Sequence, residues 1–213
     1  MKNVGGNLVP ISWDEAYSII AQKLNEIRQS YGPEAVAFYS GIEKWYQPFL
    51  QRLSYSFGSP NFCNASGTCF EAVHMAWKLS AGRLGLADSA NAGCYVAFSF
   101  NQFYSRSLDA VLMEKKRKTG LKFIVIDPRK TPAVDRFADI HLQNYPGTDG
   151  AVALGMAHIL IRDNHIDNDF IKNHVYGFEQ YAEYVKGFDP ETVASIAGIK
   201  AEDLERAVAL MAS

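Results

Sequence analysis

The stretch Phe123-Ile124-Val125-Ile126-Asp127-Pro128-Arg129-Lys130-Thr131, followed by Ala138-Asp139 and then Pro146-Gly147-Thr148-Asp149, decides how this chain is read. A short apolar, β-branched run ends in a carboxylate and then a Pro-Arg turn. That is the pattern of a buried parallel strand delivering polar groups to its carboxyl end. Ligands of open α/β sheets bind at that edge, where an acid commonly accepts hydrogen bonds from ribose hydroxyls. A second acid, Asp149, opens the next helix just after the Pro-Gly-Thr turn. Two acids, two turns and one strand edge point to a nucleotide site.

Outward from this stretch, strands and helices alternate. Ser12-Trp13-Asp14-Glu15 forms a capping box, and apolar Ala16, Ile19, Ile20, Leu24, Ile27 and Tyr31 recur at helical spacing until Gly32-Pro33 stops the run. Ala35 to Tyr39 reads as the first strand with Ser40-Gly41 as its turn, and an aromatic-rich helix runs from about Lys44 to Ser56. Gly58 to Thr68 is small, polar and turn-forming, hence a loop, and a helix follows over Phe70 to Ser80. Cys94 to Phe98 is the second strand, Ser105 to Thr119 a helix ending at Gly120, Phe123 to Ile126 the third strand and Ile140 to Leu142 a short fourth. Asp149 to Arg162 is helical with Thr148 as cap. Helices then cover Asp167 to His174, Phe178 to Val185, Pro190 to Ala197 and Ala201 to Ala212, with Asp189-Pro190 a favourable cap and first-turn proline. The expectation is an α/β fold: a doubly wound, mainly parallel sheet with flanking helices and an all-helical C-terminal part.

Bulk properties narrow the function classes. The 213 residues are 48% hydrophobic and 21% charged, an ordinary globular composition, and the net charge of −2 gives no electrostatic footprint for nucleic acid or an anionic membrane. No apolar run approaches the roughly 20 residues needed to span a bilayer, and no signal-peptide pattern opens the sequence, so direct membrane insertion is not expected. Cys63, Cys69 and Cys94 form no C-x-x-C, so spacing indicates neither a zinc nor an iron–sulfur site. No G-x-G-x-x-G and no Walker-type loop occurs, which argues against NAD or ATP held in the usual grip.

The ordered set I-D-P-R-x-T, A-D and P-G-T-D resembles the molybdopterin oxidoreductases that carry a bis(molybdopterin guanine dinucleotide) cofactor. Ile11-Ser12-Trp13-Asp14-Glu15-Ala16, Gly58-Ser59-Pro60-Asn61 leading to Cys69, Gly177-Phe178-Glu179-Gln180-Tyr181 and Asp189-Pro190-Glu191 fit the same family in the same order. The resemblance implies an oxidoreductase with molybdopterin guanine dinucleotide and molybdenum or tungsten. It also implies that a [4Fe–4S] cluster belongs to the full enzyme but not to this chain, which opens where the family's four-cysteine segment would have ended. On that reading, residues 1–148 are a Rossmann-like α/β cofactor-binding domain. Residues 149–213 are a helical extension packed on it, the start of the next domain. The partners implied are the remaining domains of the same enzyme or electron-transfer subunits. An excised piece, a split-gene subunit and a stand-alone nucleotide-binding module without redox chemistry are the alternatives. The cellular compartment is not indicated.

Eight residues are candidates for chemistry. Cys69 stands where a polar loop meets a helix start, a place that suits either a packing residue or a thiolate for a soft metal; the resemblance selects the metal ligand. Asp149 is either an acid favoured by the helix dipole or, in the P-G-T-D context, a carboxylate reading the N1–H and 2-amino edge of guanine. Gly147 lets the backbone approach that base. Asp127 is either a turn acid or the acceptor for ribose hydroxyls, with Arg129 and Thr131 available for phosphate. Asn101 and Gly41 are further cofactor contacts, although the family's G-x-N reads Ser99-Phe100-Asn101 here. Formate dehydrogenases of the family place His after the metal-ligating residue; Phe70 stands there, which favours the polysulfide and thiosulfate reductase-like branch. Cys63 is read as structural, His74 as a core residue rather than a pocket wall, and Trp13, Trp45 and Trp77 as core.

Overall fold

Gly5 and Gly6, at φ of 57° and 91°, turn the chain back on itself, so that Lys2–Val4 (β1) pairs antiparallel with Asn7–Val9 (β2). Positive φ at both turn residues matches the right-handed twist of a tight hairpin. This hairpin is absent from the sequence-based reading. The computed structural model describes residues 1–41 and 45–213, with the side chains of all of these but Thr68. They form two compact units, Met1–Leu86 and Ala87–Ser213.

In the first unit the capping box works as expected at one of its bonds: Ser12 Oγ accepts from the Glu15 amide at 3.2 Å, starting Trp13–Tyr31 (α1). Pro33 then fixes its own φ and nucleates a 3₁₀ turn over Pro33–Ala35, so the expected strand at 35–39 is displaced to Phe38–Ser40 (β3). The helix expected from Lys44 begins, among the described residues, at Gln47; Lys44 itself lies outside them. It runs over Gln47–Phe57 (α2) and ends on Gly58 at φ 95°. The expected loop at 58–68 is corrected. Phe62–Asn64 (β4) pairs parallel with β3, Phe38 opposite Phe62, and Ala65–Thr68 is a 3₁₀ turn before Phe70–Ala81 (α3). Polar residues build that pairing: Ser59 Oγ donates to the Val36 carbonyl at 2.5 Å and Asn61 Nδ2 to the Glu34 carbonyl at 2.7 Å.

The burial expected for three tryptophans and His74 is also corrected. Trp13, Trp45 and Trp77 are 76%, 77% and 43% exposed, and His74 is exposed, stacking on Phe70. Among the described residues of this unit, the buried ones are Phe38, Ser40, Ser54 and Ser59. So small a set cannot cover three indoles.

The second unit is built around a different kind of strand. Cys94–Phe98 (β5), Lys122–Ile126 (β6) and Ile140–Leu142 (β7) form a parallel sheet in that order, with β6 central. Phe123, Ile124, Val125 and Ile126 are fully buried because side chains alternate between two covered faces. Ile124 and Ile126 pack with Val152, Ile159, Val193 and Leu204, which come from Asp149–Arg162 (α7), Pro190–Ala197 (α10) and Ala201–Met211 (α11). Between α7 and α10 lie Asn168–His174 (α8) and Phe178–Val185 (α9). Phe123 and Val125 face Met113 and Phe137. Each such side chain contributes about 1.5–3 kcal/mol by leaving water.

Two further expectations change here. The helix expected at 105–119 is shortened to Ser107–Arg117 (α5) and preceded by a separate helical turn, Gln102–Ser105 (α4), with Arg106 between them extended at φ −152°. The first piece forms because Asn101 Oδ1 caps it through the Phe103 amide at 3.2 Å, and it places Phe103 on the Phe137 ring at 5.1 Å. Pro132–Phe137 (α6) is an unexpected short helix begun by proline, and it buries Ala133 and Phe137. The all-helical C-terminal part is present and shares its core with the sheet.

Candidate nucleotide-binding edge and thiol site

The carboxyl ends of β5, β6 and β7 bring together most of the residues expected to bind a nucleotide. Asp127, at the end of β6, is 5% exposed; its Oδ1 accepts the Arg129 amide at 2.8 Å, closing the Pro-Arg turn and engaging one of its two oxygens. The turn is pinned from the β7 side: His141 Nε2 donates to the Asp127 carbonyl at 2.9 Å and Gln143 Nε2 to the Pro128 carbonyl at 3.0 Å. Arg129 is exposed, Lys130 pairs with Asp135 at 3.0 Å, and Thr131 is buried at the start of α6.

The Pro-Gly-Thr turn follows β7. The Thr148 amide donates to the Tyr145 carbonyl at 3.2 Å, with Pro146 and Gly147 between them and Gly147 at φ 85°. Proline followed by a residue at positive φ is the signature of a type II turn. A Cβ on Gly147 would meet nothing within 4 Å, so the glycine serves the backbone and leaves open space beside it. Thr148 occupies the cap position of α7, but its hydroxyl does not cap. It donates to the Tyr145 carbonyl at 2.7 Å and accepts from Asn144 Nδ2 at 3.2 Å. The hydroxyl is drawn into the turn rather than the helix, which corrects the expected role. Asp149 is the first residue of α7, and its Oδ1 accepts from Ser99 Oγ at 3.3 Å.

Three buried polar atoms along this edge have no hydrogen-bond partner: Asn101 Nδ2, Thr131 Oγ1 and Asn144 Oδ1, on residues that are 8%, 4% and 2% exposed. Buried polar groups are ordinarily paired, so each of these is available to a ligand or water; Ser40 Oγ and both amide atoms of the buried Gln102 are unpartnered in the same way. Two residues of this edge, Ser99 and Asn144, were not singled out as functional by sequence. Asn144 had a signal, an asparagine just before a Pro-Gly turn. At the opposite end of β5, burial pushes the Cys94 thiol up, with Asp139 adding to the effect. Cys94 is partly buried and packs against the core under the sheet.

Gly41 and Cys69 belong to the first unit. Gly41 follows β3, and its carbonyl accepts Gln47 Nε2 at 3.0 Å. Cys69 is an exposed free thiol at the N-cap position of α3, with its amide donating to the Ser66 carbonyl at 3.4 Å. Cys63 is exposed on β4. Among the described residues no group of three or more His, Cys, Asp or Glu side chains could hold a metal ion by itself, and no helix is long and apolar enough to cross a membrane.

Comparison with known proteins identifies the family. Residues 1–212 match the family described as Molybdopterin oxidoreductase. Formate dehydrogenase H of Escherichia coli is 31% identical, the match covering 98% of this chain and 30% of that protein. The thiosulfate reductase molybdopterin-containing subunit PhsA of Salmonella typhimurium is 33% identical, covering 97% of this chain and 28% of that protein. The solved acetylene hydratase from Pelobacter acetylenicus superposes with a TM-score of 0.68 at 31% identity, over 94% of this chain and 28% of that one. The chain thus spans about three-tenths of the length of the relatives it matches. With its parallel sheets, its acid-lined strand edge and a family match from end to end, the chain belongs to the molybdopterin oxidoreductase family.

Proposed function

We propose that this chain holds the guanosine end of a molybdopterin guanine dinucleotide and supplies a thiolate to its metal, as part of a molybdenum- or tungsten-dependent oxidoreductase. The observation that carries the reading is the row of unpartnered buried atoms on Asn101, Thr131 and Asn144, flanking the two carboxylates of Asp127 and Asp149 at one strand edge. Asp149 accepts the two parallel donors of guanine, which adenine lacks. Asp127 offers an oxygen to the ribose hydroxyls. Arg129 and Thr131 take phosphate, Gly147 leaves room for the base, and Asn101 and Gly41 contact the remainder. Cys69, an exposed free thiol at the start of α3, donates the protein sulfur. When bound, such a cofactor supplies the oxygen-atom, sulfur-atom or hydride-equivalent chemistry, and the protein positions it and tunes it.

Several finer points belong to the same proposal. Residues 1–148 act as the cofactor-binding domain of a longer enzyme and 149–213 as a helical extension packed on it. The [4Fe–4S] relay, the substrate pocket and the electron-transfer partners lie in remaining domains or separate subunits. Phe70, in place of histidine after the thiol, favours the polysulfide and thiosulfate reductase-like branch over formate oxidation. On this reading the purified 213-residue chain shows no turnover by itself.

Guanine recognition is tested by titrating the chain with GMP. Asp149→Asn turns one acceptor into a donor, and losing a charged hydrogen bond costs about 1.5–3 kcal/mol, roughly a tenfold to hundredfold loss of affinity. Unchanged GMP binding in a folded variant would return Asp149 to a helix-dipole role. Cys69→Ser in the loaded enzyme should remove one sulfur scatterer from the metal's X-ray absorption; an unaltered spectrum would leave Cys69 an exposed thiol with no part in the metal site.

A further inference from the structure

Ser99 is one of two non-glycine residues at positive φ among the described residues, at 47°; the other is Asn164 at 56°. Asparagine visits that region readily, whereas serine carries the Cβ penalty without the same ease. A glycine at position 99 would adopt the conformation freely, so serine needs a compensating interaction. Two bonds hold it. Its amide donates to the Ile126 carbonyl at 2.8 Å, extending the β5–β6 ladder beyond the strand end. That bond would survive in a glycine. The hydroxyl bond to Asp149 Oδ1 at 3.3 Å would not.

We propose that Ser99 is a positioning residue for Asp149: the left-handed backbone aims its hydroxyl across the strand edge so that it fixes the plane of the Asp149 carboxylate. This rests on the reading that Asp149 recognises guanine. A carboxylate on the first turn of a helix is otherwise free to rotate about its last torsion, and only one orientation presents both oxygens to two parallel donors. Each oxygen has two lone pairs, so Oδ1 can accept from Ser99 and from the base together. The bond, at 3.3 Å and in an exposed position, is long for a hydroxyl and a carboxylate.

The test is a double-mutant cycle on the 213-residue chain, with GMP and IMP as probes; IMP lacks the 2-amino group. Ser99→Ala should weaken GMP binding about three- to tenfold and shrink the preference for GMP over IMP. In an Asp149→Asn background the same change should leave GMP affinity unaltered, because Ser99 then has no carboxylate to orient. An equal loss in both backgrounds, or none in the native background, overturns the proposal. Failure of the guanine reading appears differently, as absent GMP binding or as indifference to Asp149→Asn. In that case the thermal unfolding of Ser99→Ala, Asp149→Ala and the double variant decides the matter. Non-additive midpoints keep Ser99 as the positioner of Asp149, and additive ones overturn it.

Discussion

The two units of this chain differ most in what they bury. In the second, β6 is enclosed on both faces, and helices from before and after it in sequence close two apolar clusters on its alternating side chains. In the first, α1 and α3 contain no buried residue, and Trp13, Tyr17, Phe49 and Leu79 stand 63–80% exposed. Both units use parallel pairing and capped helices, so local structure does not separate them. The difference lies in whether apolar faces find partners. Secondary structure is dictated locally by caps, turns and periodicity, whereas stability is dictated by closure of those faces.

The largest expected effect sets the units directly against each other. Phe123→Ala removes a ring with 0% exposure that contacts Tyr95 and Phe137, and should destabilise the chain by about 3–5 kcal/mol. Ile20→Ala on α1, at 55% exposure, should cost well under about 1 kcal/mol. Denaturant titration of both variants reads the contrast, and equal shifts would break it.

A second variant probes how closely the second core is filled. Gly155 sits within α7, where an added Cβ would lie 2.8 Å from Val193 Cγ2 and 3.1 Å from Leu204 Cδ2, both on fully buried residues. Alanine is the better helix former by about 1 kcal/mol. Overpacking at two immobile neighbours should nonetheless dominate, with Gly155→Ala costing about 1–3 kcal/mol in all. A stabilised variant would show that α7, α10 and α11 have slack between them.

The same comparison explains what could be read in advance. The β6 strand was legible because an unbroken apolar run ending in Asp-Pro admits few other structures, and Asp127 and Asp149 came with it. The Ser12 and Asp189 caps were legible because a cap needs only neighbours three residues away. The β4 strand was not, since Phe62–Asn64 forms a strand only where Phe38–Ser40 offers an edge more than twenty residues earlier. The Gly5-Gly6 pair is a turn signal in its own right, but the three-residue strands on either side are too short to show a period. Burial of the tryptophans was inferred from helix periodicity, which marks an apolar face but not whether anything covers it. Ser99 escaped for a related reason: its bond to Asp149 spans 50 residues and depends on a left-handed backbone that serine does not advertise.

That backbone gives a smaller, signed prediction. At an ordinary strand-edge position alanine is favoured over glycine, because glycine leaves the unfolded chain more freedom. At position 99 the order should reverse, with Ser99→Gly more stable than Ser99→Ala by about 1 kcal/mol, since both lose the hydroxyl but only alanine keeps the left-handed penalty. Thermal midpoints of the two variants measure it. Alanine proving the more stable would mean the backbone at Ser99 relaxes when its side chain is cut.

The smallest effect concerns the caps that the two units share in kind but not in charge. Ser12 caps α1 with a hydroxyl that does not titrate, while Asp189 caps α10 with a carboxylate accepting from the Thr192 hydroxyl at 2.7 Å and the Thr192 amide at 3.1 Å. The Thr192 hydroxyl, followed by that amide, holds the Asp189 carboxyl below the usual carboxylate range. A group depressed in the folded state contributes stability that is fully present above its unfolded pKa, near 4, and is lost as pH falls through the lower folded value. The gap in stability between the native chain and Asp189→Ala should therefore be constant from neutral pH down to about 5 and then narrow below about 4. The gap between the native chain and Ser12→Ala should not change with pH over that range. Parallel pH series of thermal midpoints would show the two behaviours side by side. A gap at Asp189 that stays constant into acid would mean its oxygen serves α10 equally well with its proton on, making the two caps alike in mechanism as well as in place.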